Sequence, residues 1–443
     1  MNIKLSDHFT YRRLLRFTLP SMVMMIFSSI YSVVDGFFVS NFVGKTSFAA
    51  VNFIMPVLMI LGGVGFMFGT GGSALVAMKL GEQRHEEANR IFSMLVYVSI
   101  ACGALLGVLG IIFLPDIARA LGAEGELLDN SVLYGRIILL ANPAFFLQME
   151  FQSFFITAEK PHLGLTVTVA AGVTNMVLDA LLVGVLRWGL VGAAAATTIS
   201  QLVGGVFPLF YFGCKNTSLL RLTRTRIHWN LLGKACANGS SELMSNISMS
   251  LVSMLYNVQL LNFAGENGVS AYGVLMYVSM IFSGMFIGYS IGVAPVISYH
   301  YGAEHHDELK NLLRRSVIIL LCFALCMFAL AQVLAYPLSK MFVGYDAELL
   351  EMTHGAFLTY AYSFLFMGFA IFASSFFTAL NDGLTSALIS FLRTLVCQVG
   401  AVLLLPMLLG IDGIWLSIVM AEVMAVLISV AFLVAKRKKY QYF

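Results

Sequence analysis

Apolar residues occur along this chain in long uninterrupted runs, and polar residues are concentrated in the short segments between them. A run of about 20 apolar residues is long enough to cross a bilayer as one helix. The runs predict twelve membrane-spanning helices, at 14–41, 48–78, 91–114, 131–157, 164–186, 190–213, 235–262, 269–299, 315–338, 351–378, 386–406 and 411–434. We therefore expect an all-α integral membrane protein.

The composition supports this class and excludes a soluble protein. Of the 443 residues, 59% are hydrophobic and only 11% are charged, whereas soluble domains carry about 25% charged residues. Twelve spans place both termini on one side of the membrane, and most of the 26 Lys and Arg residues fall on that side. Because basic loops stay in the cytoplasm, we expect a multi-pass protein with both termini cytoplasmic. The net charge of +3 reflects this topology and indicates no nucleic-acid partner.

The two halves of the chain resemble each other at an offset of 221 residues. SNFVG at 40–44 corresponds to LNFAG at 261–265, and LGEQRHEE at 80–87 corresponds to YGAEHHDE at 301–308. Six spans per half is an even number, so both copies have the same orientation, as in the parallel repeats of transporters. The predicted units are an N-terminal six-helix lobe (1–213), a cytoplasmic linker loop (214–234), a C-terminal six-helix lobe (235–434) and a basic cytoplasmic tail (435–443).

Two carboxylates lie at similar depth within the first half. A charge at the bilayer centre costs about 2.5–3.5 kcal/mol, so such residues usually serve function. Asp35 and Asp179 lie roughly 10 Å below the outer ends of spans 1 and 5 at 1.5 Å per residue. Asn175 lies one turn from Asp179 on the same helix face, and Thr197 has a similar depth in span 6. The set predicts one proton or sodium site, because adjacent carboxylates hold their protons more tightly. The alternative is that backbone groups or water satisfy each acid separately.

The acidic pair belongs to the first half only. At the repeat offset, Asp35 corresponds to Tyr256 and Asp179 to Gly400. Pro20 lies 15 residues before Asp35 in the same span, where a proline kinks a helix and frees a carbonyl group. This kink could be a hinge that responds to the protonation of the acid, or an ordinary static bend.

Other polar residues within spans have either substrate-binding or structural interpretations. Glu242 could neutralise a cationic substrate, or it could be held by hydrogen bonds. Glu422 and Arg393 could form a buried ion pair. Glu150, close in sequence to Gln148 and Gln152, could line a cavity or an interface between helices.

No enzyme motif is present, and a Walker A sequence is missing, so ATP does not drive the protein directly. We expect no cofactor beyond a coupling ion, H⁺ or Na⁺. The chain has 36 Phe and 24 Met residues, and such side chains suit a cavity that accepts varied amphipathic cations. The expected partners are therefore small amphipathic or cationic molecules and membrane lipids, and we expect a monomer.

The chain resembles the multidrug and toxin extrusion (MATE) family over essentially its whole length. The resemblance rests on the Asp of span 1 after Pro20, on NMVLD in span 5 and on GAAAATTIS in span 6. The stretches VDGFFVSNFVG, KLGEQRHEEANR and ITAEKPHLG are particularly similar to the bacterial MepA-like group. The resemblance implies two lobes in a V shape, a location in the bacterial plasma (inner) membrane, and cation-coupled export of drugs.

The resemblance also implies roles for individual residues. The functional set of the first lobe in several bacterial relatives carries over to Asp35, Asn175, Asp179 and Thr197. Another branch binds sodium in the second lobe through acids in spans 7 and 10. Glu242 lies in span 7 in a different register, and span 10 has no acid at mid-depth, so we expect no such site. The alternative function is a flippase for a lipid-linked precursor, which should line its cavity with several Arg or Lys side chains. Only Arg393 lies clearly within a span.

Overall fold

The computed structural model describes residues 2–443, which are almost entirely helical. In chain order the α-helices are α1 (Tyr11–Phe38), α2 (Lys45–Gly81), α3 (His85–Ala120), α4 (Gly125–Leu140), α5 (Asn142–Thr157), α6 (Pro161–Leu178), α7 (Gly189–Gly213), α8 (Trp229–Gly302), α9 (His306–Val343), α10 (Ala347–Tyr360), α11 (Phe364–Ala379), α12 (Gly383–Phe391), α13 (Gln398–Leu409) and α14 (Ile411–Tyr440). Three π-helical segments extend or join them, at Val39–Val43, Asp179–Val185 and Leu392–Cys397.

The helices account for twelve membrane spans within residues 2–443. Ten helical stretches are long and apolar enough to cross a membrane, and α4 with α5 forms an eleventh span bent by 63°. Helix α8 contains two spans, because Gly265 interrupts it with non-helical angles (φ 65°, ψ −152°). A positive φ of this kind suits glycine, which has no Cβ. The predicted fold class is thus confirmed, although the connection between spans 7 and 8 is a one-residue break and α8 begins at Trp229, before the predicted 235.

The two six-helix bundles meet at glycines that are related by the repeat. A Cβ on Gly81 would lie 2.0 Å from the carbonyl oxygen of Tyr299, and a Cβ on Gly302 would lie 2.1 Å from that of Met78. The two contacts are equivalent at the 221-residue offset. The backbones of α2 and α8 therefore touch where they cross, which only glycine permits.

A second pair of equivalent contacts between the bundles involves Gly71 and Gly292. Gly71 approaches α8 so closely that a Cβ would lie 2.4 Å from the amide nitrogen of Gly239. Its counterpart Gly292 approaches α1, where a Cβ would lie 3.2 Å from the Cα of Thr18. Because Gly239 and Thr18 are also 221 residues apart, the interface follows the two-fold axis of a parallel repeat.

Contacts between the bundles are concentrated on the side of the molecule that carries both termini, here called the terminal face. The Gln83 side-chain amide donates there to the Tyr299 hydroxyl at 3.2 Å, and Phe9 packs against His300. Among residues 2–443, the hydrogen bond between the bundles farthest from this face joins Ser29 Oγ to the Met280 carbonyl at 3.1 Å. The bundles are therefore closed at the terminal face and diverge toward the opposite face.

Residues 2–10 connect both bundles across the terminal face. The amide of Leu5 donates to Glu159 Oε1 in the first bundle at 2.6 Å. The amide of Phe9 donates to Glu308 Oε1 in the second bundle at 3.0 Å. Both Leu5 and Phe9 are completely buried, so this N-terminal segment is an integral part of the closed face.

Candidate functional site

The first bundle contains a cavity of about 120 Å³. Helices α1, α2, α4, α5, α6 and α7 all contribute to its wall. The lining residues are Tyr31, Ser32, Asp35, Met55, Leu58, Met59, Tyr134, Ile138, Phe145, Gln148, Asn175, Thr197, Ser200 and Gln201.

Asp35 and Asp179 lie side by side at this cavity. Asp35 lines the cavity from α1, and its side chain is next to that of Asp179, which lies at the start of the π-helical segment that follows α6. Asp35 is 9% exposed and Asp179 is completely buried. Neither oxygen of Asp179 accepts a hydrogen bond from residues 2–443, and the same holds for Oδ1 of Asp35. Two carboxylates this close repel each other unless they share a proton or bind a cation.

Asn175 and Thr197 complete the polar part of the wall. The Asn175 amide donates to Thr197 Oγ1 at 3.5 Å, and Thr197 in turn donates to the carbonyl of Ala193 at 3.2 Å. The side-chain oxygen of Asn175 is buried and accepts no hydrogen bond within the described chain. The structure thus brings together all four residues that the sequence selected. Their oxygens offer the hard ligands that Na⁺ or a proton requires.

Aromatic and thioether side chains form most of the remaining wall. Tyr31 and Tyr134 lie near Asp35, and Phe145, Met55 and Met59 also line the cavity. Aromatic faces attract organic cations, and methionine adapts to ligands of different shape. Sequence reasoning could not select these residues among 36 Phe and 24 Met, although Gln148 was a candidate and does line the cavity.

The equivalent region of the second bundle has a different polar arrangement. Arg393 donates from Nε and Nη2 to the two carboxylate oxygens of Glu422, at 3.0 and 2.9 Å, so the predicted ion pair is present. Glu242 lies near Arg393 but is not within 4.0 Å of it. Tyr256, the counterpart of Asp35, shares a hydrogen bond with Ser417 at 2.7 Å. The acids of this bundle therefore have a built-in counter-ion, which the Asp35–Asp179 pair lacks.

Two other candidates lie apart from the cavity. Glu150 is completely buried on the side of α5 that packs against Gly69 of α2, near Ser99 of α3. Neither of its carboxyl oxygens has a hydrogen-bond partner within residues 2–443. Pro20 is buried within α1, which continues without interruption from Tyr11 to Phe38. The hinge at Pro20 stays a prediction.

Comparison with known proteins places this arrangement in a family. The MatE family model matches the chain twice, over residues 20–181 and 243–403, which together are well over half of its length. The chain belongs to the MatE family. Its members are ion-coupled membrane transporters rather than enzymes, and they include multidrug exporters. The two matches correspond to the two halves of the repeat.

Individual relatives cover nearly the whole chain. The multidrug export protein MepA of Staphylococcus saprophyticus is 23% identical over 94% of this chain and 92% of its own length. Two solved structures have the same fold, each with a TM-score of 0.93, 22% identity and 98% coverage of both chains. One is a MATE protein in complex with MaL6, and the other is an outward-facing multidrug resistance MATE transporter. This MatE protein is a multi-pass protein of the plasma membrane.

Proposed function

We propose that this MatE protein exports organic cations or amphipathic drugs in exchange for protons or sodium ions, with Asp35 and Asp179 as the coupling carboxylates. The observation that carries the proposal is the pair of adjacent carboxyl groups, without a protein counter-ion, at the wall of an aromatic cavity. The name of the MepA relatives supports drug-like substrates.

The coupling follows from the electrostatics of the pair. With both carboxyl groups ionised, the cavity has a negative charge that favours a cationic substrate. A proton or Na⁺ that enters from the opposite face neutralises the same charge. The substrate and the coupling ion therefore compete for one site, and this competition exchanges them. Asn175 and Thr197 act as neutral ligands that keep the site polar after the substrate leaves.

The open and closed faces define a direction of release. The bundles are closed at the terminal face, which we assign to the cytoplasm from the distribution of Lys and Arg. The cleft between the bundles opens on the opposite, external face. In this arrangement the protein is ready to release substrate outward and to accept the coupling ion.

Transport by purified protein in vesicles tests the coupling site. Asp35→Asn and Asp179→Asn should each abolish ethidium transport driven by an imposed proton or sodium gradient, because Asn retains the size but cannot change charge. Since the two acids act as one unit, the double variant should be little worse than either single variant. Asp116→Asn is the matched control, since Asp116 is 71% exposed and does not line the cavity. Near-normal driven transport in either single variant would show that the pair is structural.

A flippase would require different side chains in the cavity. Headgroups with phosphate or pyrophosphate require basic side chains, yet none of the residues that line the cavity, all within the described chain, is Lys or Arg. Purified protein should therefore bind a cationic dye more tightly than a lipid pyrophosphate. The opposite preference would support the flippase.

The orientation has its own test. Cysteine at Lys45, an exposed residue at the opposite face, should react with an impermeant thiol reagent added to intact cells. Cysteine at Glu86, which is 94% exposed at the terminal face, should not react. Labelling of Glu86→Cys alone would reverse the assigned direction.

A further inference from the structure

The connection between the two bundles follows a defined path along the surface of α3. Residues 214–228 contain no regular helix or strand. The amide of Arg221 donates to Asn89 Oδ1 at 2.7 Å, and the amide of Thr223 donates to Ser93 Oγ at 2.8 Å. These bonds attach the extended linker to one level of α3.

Exposure along α3 shows where that level lies in the membrane. Arg90 is a charged side chain that is 61% exposed, so it belongs to the aqueous side. Tyr97 and Leu105, farther along the helix, are exposed aromatic and apolar side chains that face the lipid. The Tyr97 hydroxyl donates to the carbonyl of Thr223 at 3.1 Å. The linker therefore crosses α3 at the boundary between water and hydrocarbon, where lipid headgroups lie.

The linker presents charge and an aromatic anchor at this boundary. Arg221, Arg224 and Arg226 are exposed, and within residues 2–443 none of them forms an ion pair. The linker leads directly into Trp229, which begins α8 and is 74% exposed, after Ile227 at 51%. Exposed tryptophan is typical of the interfacial zone, and clusters of arginine at this level attract anionic lipids.

The second bundle lacks the side chains that hold the linker. At the repeat offset, Asn89 and Ser93 of α3 correspond to Lys310 and Arg314 of α9, so the polar side chains that hold the linker are absent there. Both basic residues are exposed, and they provide a comparison with equal charge on the same face of the protein.

We propose that the linker surface, defined by Arg221, Arg224, Arg226 and Trp229, binds the headgroup phosphate of an anionic phospholipid in the leaflet next to the terminal face. The arginines contact the phosphate, and the Trp229 ring lies beside the upper part of the acyl chains. This assignment does not depend on the proposed transport activity, because it concerns a surface outside the cavity.

Quenching of tryptophan fluorescence by brominated lipids tests the site directly. The chain has three tryptophans, of which Trp188 lies at the opposite face and Trp415 is buried. The variant W188F/W415F leaves Trp229 as the reporter; if it is poorly folded, W188F alone serves, since Trp415 is only 4% exposed. In bilayers of mixed lipids, brominated phosphatidylglycerol should quench Trp229 more strongly than brominated phosphatidylcholine. A basic residue near an anionic surface contributes a factor of about five in binding, so one or two arginines predict a preference of roughly five- to twenty-five-fold.

The triple variant R221Q/R224Q/R226Q in this background should reduce the preference to near one. The matched triple variant K310Q/R314Q/K438Q, which includes exposed Lys438 of the basic tail, removes the same charge from the same face and should retain the preference. Thermal unfolding of each variant in detergent verifies that it is folded. Equal quenching by the two brominated lipids in the starting protein would overturn the proposal. An equal loss in both triple variants would also overturn it, because the effect would then be one of net charge.

Discussion

Gly239 offers a way to weaken the closed face without touching the cavity. In α8 this glycine packs against α2, and a Cβ placed on it would lie 2.0 Å from the carbonyl oxygen of Met67. Ordinary contact begins at 3.4 Å, so Gly239→Ala requires the two helices to separate by about 1.4 Å at this point. Overpacking of this kind costs about 1–3 kcal/mol. We expect the cost only while the terminal face is closed, because opening that face requires α2 and α8 to separate at this contact.

The expected shift in population follows from that energy. A penalty of about 2 kcal/mol changes the ratio of the two states roughly thirty-fold. A protein that is about 99% closed at the terminal face would become roughly three-quarters closed. The matched control is Gly273→Ala in the same helix, where no heavy atom lies within 4 Å of the added Cβ.

Distances between the outer ends of the bundles report this shift. Lys45 and Glu266 are exposed, equivalent in the repeat and located at the opposite face. Spin labels on cysteines at both positions, in a variant without the six native cysteines, give a distance distribution by pulsed electron paramagnetic resonance. Gly239→Ala should add a population with shorter distances, and Gly273→Ala should not. An unchanged distribution in Gly239→Ala, or the same change in both variants, would refute the reasoning.

Three further predictions concern other parts of the molecule. Arg393→Met leaves Glu422, only 2% exposed, without its counter-ion; thermal unfolding should show a loss of about 3–5 kcal/mol, and R393M/E422Q should recover most of it. Deletion of residues 2–9 removes the bridge from Glu159 to Glu308. It should add the same short distances between spin labels at Lys45 and Glu266. Unchanged distances would show that these residues contribute nothing to closure. Burial acts to raise the pKa of Asp382, but hydrogen bonds from Tyr440 and Thr385 and the charge of Lys436 outweigh it and hold the pKa below its usual value. This stabilisation is present above about pH 4 and is lost as the pH falls through the lowered pKa. Tyr440→Phe should therefore weaken the decline of the melting temperature in acid. An identical decline in both proteins would contradict the assignment.

The sequence predicted the spans, and it selected four polar residues that the structure brings together, for physical reasons. Apolar runs of sufficient length have few alternatives to a transmembrane helix, and depth along each helix brought Asp35, Asn175, Asp179 and Thr197 to one level. The pairing of Arg393 with Glu422 was also open to prediction, because a buried charge requires a partner.

Other features depend on tertiary contacts that leave no local signal. Tyr134 and Phe145 reach the cavity from two sides of the 63° bend between α4 and α5, which hydropathy does not reveal. The position of the N-terminal segment depends on Glu159 and Glu308, which are far away in sequence. The linker on α3 was predicted only as a loop, since its level in the membrane depends on Asn89 and Ser93.

Because α2 and α8 cross at Gly81 and Gly302, a small rotation at this crossing produces a large displacement at the external opening. Helix α2 has 37 residues, or about 55 Å at 1.5 Å per residue, and its pivot lies at its inner end. A rotation of 10° about that pivot moves the far end by roughly 10 Å, about the diameter of a helix. The width of the external opening is then set by the angle between two helices that cross at glycines. Molecules of very different width can therefore leave through one passage while the residues at the crossing hardly move.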